Sequence, residues 1–380
     1  MKKLTKLILC MLVLITLIPN VQVRAAGGPA VSAQAAILMD QNSGRVLYEK
    51  NKHKKMRIAS ITKVMTALLA IESGKLNETV TVSSHAYGTE GSSLYLKKGE
   101  KIKLKELVYG LLLRSGNDAA VAIAEHVAKS VPGFVYLMNE KARELGMKDT
   151  SFANPHGLDD PSHYSSAYDM ALLTKYAMQN STFRKMFGTK YHRSPQKGEK
   201  WDRVWRNKNK LLFQYAYSTG GKTGFTSLAR RTLISTATKD HKDLIVVTLN
   251  DGDDWKDHQS LFDYGFKTFQ RVQVVKKGKM TFLNQAFYKN HMYAKRSLYL
   301  MLTKEEKENL KSNVFLIQPP KKEEEWKTIP SPIGKVVFTS NDKHVGSLPL
   351  FYEKPKKEKK GFWSLFIHVI SLTMGLSQNG

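Results

Sequence analysis

The chain is 380 residues long and carries 60 lysines and arginines against 33 aspartates and glutamates, a formal net charge of +27 with 42% hydrophobic residues. That length is too great for one ordinary domain and predicts two, while the positive charge suits anionic polymers and lipid headgroups. Nucleic acid is excluded as the anionic partner, because no nucleic-acid motif is visible and the first residues encode export.

Lys2, Lys3 and Lys6 precede an apolar stretch, Leu7 to Ile18, and then Val23-Arg-Ala25, a small-residue cleavage site. Residues 1–26 therefore read as a signal peptide cut after Ala25 or Ala26. About a dozen apolar residues are too few to span a bilayer. The only cysteine, Cys10, lies inside this segment, so the mature chain has no disulfide and no thiolate zinc site. Leu9 stands where a lipoprotein would need a small residue before Cys10. Lys2, Lys3, Lys6 and Arg24 leave with the signal, so the mature charge is about +23. Next, Ala35 to Met39 and Arg45 to Glu49 flank Gln41-Asn-Ser-Gly44 and read as a hairpin.

Ser60-Ile-Thr-Lys63 opens the apolar run Ile61, Val64, Met65, Ala67, Leu68, Leu69, Ala70 and Ile71, which stops at Gly74. This pattern predicts a buried helix with a glycine end. A serine hydroxyl is a weak nucleophile and needs a base, and residues three apart on a helix share a face, so Lys63 can take the proton of Ser60. Burial disfavours the ammonium, which makes a lysine here neutral enough for that work. The free backbone N–H of Ser60 at a helix start can face a developing oxyanion.

Leu104 to Leu113 and Ala119 to Val127 are two further apolar helical stretches, with Ser115-Gly-Asn117 as the tight connection between them. That placement presents a hydroxyl and an amide to a cleft, where Ser115 can relay a proton and Asn117 can hold a substrate amide. His156, Asp159, Asp160 and His163 invite a metal reading. Pro155, Gly157 and Pro161 mark a loop there, no His-Glu-x-x-His pair occurs, and a structural or solvated role is expected.

Ser218-Thr-Gly-Gly-Lys-Thr-Gly-Phe225 reads as a strand facing the cleft, followed by paired strands Arg231 to Ala237 and Leu244 to Leu249 across a Lys239 to Asp243 turn. Lys222 offers a cation for a substrate carboxylate, Thr223 a hydroxyl, Gly224 close backbone approach, and Phe225 N–H a second oxyanion donor. A phosphate-binding loop fails here, since Ala216 stands where its first glycine belongs. No Gly-x-Ser-x-Gly elbow appears either.

After about Arg271 short strands dominate: Val272 to Val275, Leu298 to Leu302, Val314 to Ile317, and Gly334 to Tyr352 broken at Asn341-Asp342. A small β-sandwich is expected. Lys354, Lys356, Lys357, Lys359 and Lys360 then precede Phe362, Leu365, Phe366, Val369, Ile370 and Thr373 on one helix face, with Trp363 beside it. That basic amphipathic tail, residues 354–380, suggests an interfacial anchor on an anionic membrane.

With Ser60-x-x-Lys63, Ser115-x-Asn117 and Lys222-Thr-Gly224 in order, the chain resembles the low-molecular-mass penicillin-binding proteins, the serine-type D-alanyl-D-alanine carboxypeptidases. The resemblance runs from about Ala35 to Glu353 and includes Asn154-Pro-His-Gly-Leu158 and Tyr168-Asp-Met-Ala171. Arg57 to Lys63 and Leu113 to Ala120 look most like the sporulation-specific carboxypeptidase of bacilli. The fold implied is α+β: a β-lactamase/transpeptidase-like domain of helices around an antiparallel sheet over residues 27–270, then the all-β domain over 271–353 and the tail helix. The resemblance also implies that the 35–49 hairpin joins the later strands in one sheet. By the same likeness Ser60 carries the acyl-enzyme, Lys63 accepts the proton, Ser115 and Asn117 assist, and Lys222 binds the terminal carboxylate. The partners implied are peptidoglycan stem peptides, β-lactams as inhibitors and the anionic outer face of the cytoplasmic membrane, with no cofactor and no metal.

Two rival functions are weaker. A class A β-lactamase needs a Glu-x-x-Leu-Asn segment, which is missing between Asn117 and Lys222, and its middle motif is Ser-Asp-Asn rather than Ser-Gly-Asn. A catalytically idle wall-binding module would have no reason to keep all three motifs intact.

Overall fold

Unbroken apolar runs become strands buried on both faces. Ala35–Asp40 (β1), buried throughout, pairs antiparallel with Val46–Lys50 (β2). In this computed structural model residues 28–196, 200–280, 288, 291–319 and 330–353 are described. The predicted signal peptide, with Cys10, and the predicted tail helix lie outside them. A 3₁₀ turn at Ala59–Thr62 leads into helix α1, Lys63–Glu72, where every residue from Lys63 to Ile71 is buried. The helix gives way at Gly74, which takes the left-handed φ of +73° that a glycine adopts without a Cβ penalty. Leu104–Arg114 (α2) and Asn117–Ala128 (α3) follow, then a hairpin of Tyr191–Ser194 (β3) and Arg203–Arg206 (β4).

Ser218–Thr226 (β5), Arg230–Lys239 (β6) and Lys242–Leu249 (β7) complete a five-stranded antiparallel sheet in the order β2-β1-β7-β6-β5. Side chains alternate across it. Ile37, Met39, Ile245, Val247 and Leu249 join the core shared with α1, α2 and α3. Leu38 and Leu244 face the opposite way, onto helix α4, Asp254–Thr268. There Gly265 permits close approach, for a β-carbon would lie 2.7 Å from Leu244 and 3.0 Å from Leu38. The consequence for the site is that α1, sealed on all sides, and β5, at the sheet edge, can be held in fixed register.

The chain divides into two compact units. One comprises the residues up to Met39 and Val46–Lys267; the other comprises Asp40–Arg45 and the residues from Thr268 on. In the second, Gln270–Val275 (β8) pairs with a later strand, Leu298–Leu302. Gly278–Lys279 (β9), Met292–Ala294 (β10), that Leu298–Leu302 strand (β11), Leu310–Leu316 (β12), Gly334–Ser340 (β13) and Lys343–Tyr352 (β14) complete the set. The larger sheet has the order β9-β10-β14-β13-β12. Asn341 and Asp342, both at positive φ, make the tight turn between β13 and β14. Leu300, Leu302, Val336, Leu348 and Leu350 form this unit's own core. No helix among the described residues is long and apolar enough to cross a membrane.

Candidate active site

Ser60 stands in the 3₁₀ turn, and α1 proper begins only at Lys63. The turn is entered through Ala59 at φ +49°, a left-handed conformation that costs a non-glycine residue free energy and persists only when its surroundings hold it. A relay supplies the hold. Ala153 N donates to His163 Nδ1 at 3.0 Å, His163 Nε2 meets Thr62 Oγ1 at 2.8 Å, and Thr62 Oγ1 donates to the Ala59 carbonyl at 2.7 Å. Because Nδ1 accepts and Thr62 gives its own proton to Ala59, the imidazole proton must sit on Nε2. Burial, opposed by Asp160 and aided by Lys63, holds the His163 pKa down to about 4, so the ring is neutral. Gly157, at φ +87°, crosses directly over this turn, where a β-carbon would collide with the Ala59 carbonyl.

Lys63 Nζ lies 2.8 Å from Ser60 Oγ and donates to Asn117 Oδ1 at 2.7 Å and to the His156 carbonyl at 2.6 Å. Its pKa is pushed well below the ordinary lysine value by burial first, then by the Lys222 and Lys208 cations, against a weaker pull from Asp118. A neutral amine has two hydrogens and one lone pair. Asn117 Oδ1 and the His156 carbonyl can only accept, so they take the two hydrogens and leave the lone pair for the hydroxyl of Ser60. The three contacts thus set the direction of proton transfer as well as its distance.

Ser115 caps the C-terminal end of α2 in the left-handed region, φ +69°, and Asn117 is the first residue of α3. Asn117 Nδ2 donates to the Glu90 carbonyl at 2.6 Å, which fixes its amide so that Oδ1 faces Lys63. Asp118 stabilises the loop behind it. Its buried carboxylate accepts from Ser93 Oγ and from the backbone N–H groups of Leu94, Leu96 and Ala119.

On β5, Lys222 Nζ donates to Ser115 Oγ at 3.0 Å and to the Thr223 carbonyl at 2.6 Å. Burial, then the nearby Lys208 cation, lowers its pKa to about 7. Gly224 is the point of closest approach, since a β-carbon there would lie 2.9 Å from Ser60 N and 3.1 Å from Ile61 N. Thr232 Oγ1 reaches from β6 to the Ile58 carbonyl at 2.9 Å and ties the turn to the sheet. Phe225 stands exposed at the strand's end.

The sequence-predicted residues therefore form two hydrogen-bonded groups, Ser60–Lys63–Asn117 and Lys222–Ser115, with Thr223 and Gly224 beside them and Phe225 at the rim. The helix expected from Ser60 onward is corrected in one detail: Ser60 is on a 3₁₀ turn, and the α-helix begins at Lys63. Sequence reasoning missed Thr62, Asp118, Lys208 and the His156 carbonyl, because backbone acceptors and loop anchors have no motif; Asp118 was signalled only by standing next to Asn117. The four metal candidates all have other partners: His163 in the relay, Asp160 with Ser162, Asp159 with Thr226, and His156 Nδ1 with Leu158 N.

Comparison with known proteins agrees with this geometry. A family model described as D-alanyl-D-alanine carboxypeptidase matches residues 22–253, and one described as the C-terminal domain of penicillin-binding protein 5 matches residues 269–358. The D-alanyl-D-alanine carboxypeptidase DacF of Bacillus subtilis is 38% identical over 257 residues, 65% of this chain and 66% of that protein. DacC of Escherichia coli is 33% identical over 371 residues, 88% of this chain and 86% of its own length. The solved structure of penicillin-binding protein 5 from Haemophilus influenzae superposes with a TM-score of 0.73 at 28% identity, covering 86% of this chain and 98% of that one. The chain belongs to the S11 peptidase family, the serine D-alanyl-D-alanine carboxypeptidases.

Proposed function

We propose that this protein removes the terminal D-alanine from peptidoglycan stem peptides through an acyl-enzyme on Ser60. The observation that carries the proposal is the Lys63 amine, 2.8 Å from Ser60 Oγ with both its hydrogens taken by other acceptors. Ser60 attacks the carbonyl before the last residue while Lys63 takes its proton. The backbone N–H groups of Ser60 and Phe225 hold the oxyanion. Lys222 and Thr223 receive the terminal carboxylate, and Ser115, which is hydrogen-bonded to Lys222, gives its proton to the departing D-alanine amine and takes back the one held by Lys63, so that both groups are restored. Water then releases the acyl group. A β-lactam acylates the same hydroxyl and is retained, which supports its place as an inhibitor. Likeness to the sporulation-type enzymes extends the proposal to the spore cortex, where trimmed stem peptides limit cross-linking.

The role of Lys222 has a direct test. With a pKa of about 7 in the free enzyme, Lys222 is cationic below that pH and loses its charge above it. For a peptide ending in a free carboxylate, kcat/KM is expected to fall as pH rises through about 7, since this quantity reports the free enzyme's groups. Lys222→Ala should lower kcat/KM on that peptide and barely change it on the same peptide amidated at its end. Equal loss on both would make Lys222 a structural lysine.

The site of action is outside the cytoplasm, on the wall, where members of the family work. The finer placement, peripheral on the outer face of the membrane through residues 354–380, rests on the lysine cluster feeding the Phe362 to Thr373 face. Deleting Gly361 to Gly380 removes the apolar burial, leaves only the lysines at about 1 kcal/mol each near the surface, and should release the mature protein from anionic vesicles. Hydrolysis of a small soluble peptide should be unchanged. Sedimentation of the truncated protein with vesicles as before would overturn this placement.

A further inference from the structure

A long basic stretch of the chain lies beside the cleft, outside the three motifs. Between Arg184 and Lys210 there are ten lysines and arginines against two acidic residues, Glu199 and Asp202. The β3–β4 hairpin inside this stretch has two unlike faces. On the inner one, Trp205 and Ser194 are buried, and His192 stacks on Tyr109 of α2 at 3.6 Å and meets Glu106 at 2.7 Å. The register pairs Tyr191 with Arg206 and Arg193 with Val204, so these four side chains share the outer face. Tyr191 is 59% and Val204 60% exposed.

Two cations on this side are held together instead of apart. Lys190 Nζ lies 5.8 Å and the Arg206 guanidinium 4.5 Å from the centre of the same ring, Phe213, and Tyr191 packs edge-on against that ring at 5.6 Å. Among the described residues no carboxylate pairs with either cation. Arg193 reaches Asp202 only at 3.8 Å with its side chain 75% exposed. The ring attracts both cations but neutralises neither, which leaves them open to an anion from outside, and a guanidinium grips a phosphate through two parallel hydrogen bonds. A merely solvated face would spread its charges and hide its aromatics. From Arg206 the chain runs directly to Lys208, whose N–H donates to the Leu113 carbonyl at 3.1 Å and whose charge reaches both Lys222 and Lys63. The cationic strip thus ends at the cleft.

We propose that the outer face of the β3–β4 hairpin, with Lys190, Arg206 and Arg193, docks a phosphodiester-linked anionic polymer attached to the peptidoglycan, and so holds the enzyme on the wall beside its substrate. The proposal rests on the peptidoglycan reading above. A linear polyanion fits better than a membrane, because apolar and charged side chains alternate along this narrow face and leave no continuous surface to insert into lipid.

The test measures retention of the mature protein on purified walls, with Ser60→Ala as the background so that binding is independent of turnover. Walls carrying their phosphodiester polymer are compared with walls stripped of it by acid. Each cation near an anionic surface is worth about fivefold in partitioning, so Lys190→Gln with Arg206→Gln should lower retention on intact walls roughly twenty-five-fold. Stripping should lower the retention of the parent to match and erase the difference between them. Arg193→Glu, at an exposed position, should act in the same direction and keeps the test open if the double variant folds poorly. In the Ser60-intact protein, the same changes should leave hydrolysis of a small soluble peptide unaltered, which separates failure of docking from failure of the active-site reading. Unchanged retention in the variants, retention by the parent that survives stripping, or a variant deficit seen on anionic vesicles but not on walls would each overturn the proposal.

Discussion

Ser60→Ala is expected to abolish covalent labelling by penicillin. Loss of the nucleophile from a serine hydrolase costs on the order of 10⁶-fold in turnover, and here no second hydroxyl can substitute. Ser115 Oγ receives its hydrogen bond from Lys222, and Thr62 Oγ1 is spent on the Ala59 carbonyl, so neither faces the Lys63 lone pair. Intact-mass measurement after treatment should therefore show one adduct on the parent, mapped by digestion to Ser60, and none on the variant. An adduct at Ser115, or at any residue outside the 3₁₀ turn, would overturn the assignment of the whole site.

Lys63→Ala is expected to slow acylation by about 10²–10⁴-fold, the usual cost of losing a positioned general base. The variant also leaves Asn117 Oδ1 and the His156 carbonyl without their shared donor, so part of the loss could arise from a displaced Asn117. The pH profile separates the two. In the parent, acylation needs Lys63 uncharged, and since burial lowers its pKa the rate should rise as pH passes upward through that lowered value. A variant that has lost the base should lose that rising limb, whereas one that has only lost substrate positioning should keep it at reduced height. Stopped-flow acylation with a chromogenic β-lactam reads both quantities. A retained limb would exclude Lys63 as the proton acceptor.

The sequence carries the sheet and the helices of the site well because their signals are local. Leu244 to Val247 and Ala35 to Met39 are apolar without a break, as strands covered on both faces must be, and the run from Val64 to Ile71 is apolar nearly all round because α1 is enclosed. Ser60, Lys63, Ser115, Asn117 and Lys222 could be read as one site because the reaction demands those side chains. What holds them was hidden for the opposite reason. The His163–Thr62–Ala59 relay and the Asp118 loop anchor depend on contacts between segments far apart in sequence. A histidine in a loop rich in aspartate and proline suggests a metal as readily as a strut; only the register of Ala153 against Nδ1 decides between them. The β3–β4 hairpin gave no clear alternation, since its inner His192 and Ser194 are polar.

The sheet order β2-β1-β7-β6-β5 also bears on how the protein matures. The hairpin that leaves the ribosome early, around Ala35–Lys50, has no partner for its inner edge until Lys242–Leu249 has been made. Pairings of such long sequence separation form late and slowly, because loop-closure entropy must be overcome first. Ser60 meets Gly224 only once that closure has occurred. A chain with this order cannot assemble its site piecemeal, because the Ser60 turn lacks the strand opposite it until Lys242–Leu249 has closed the sheet.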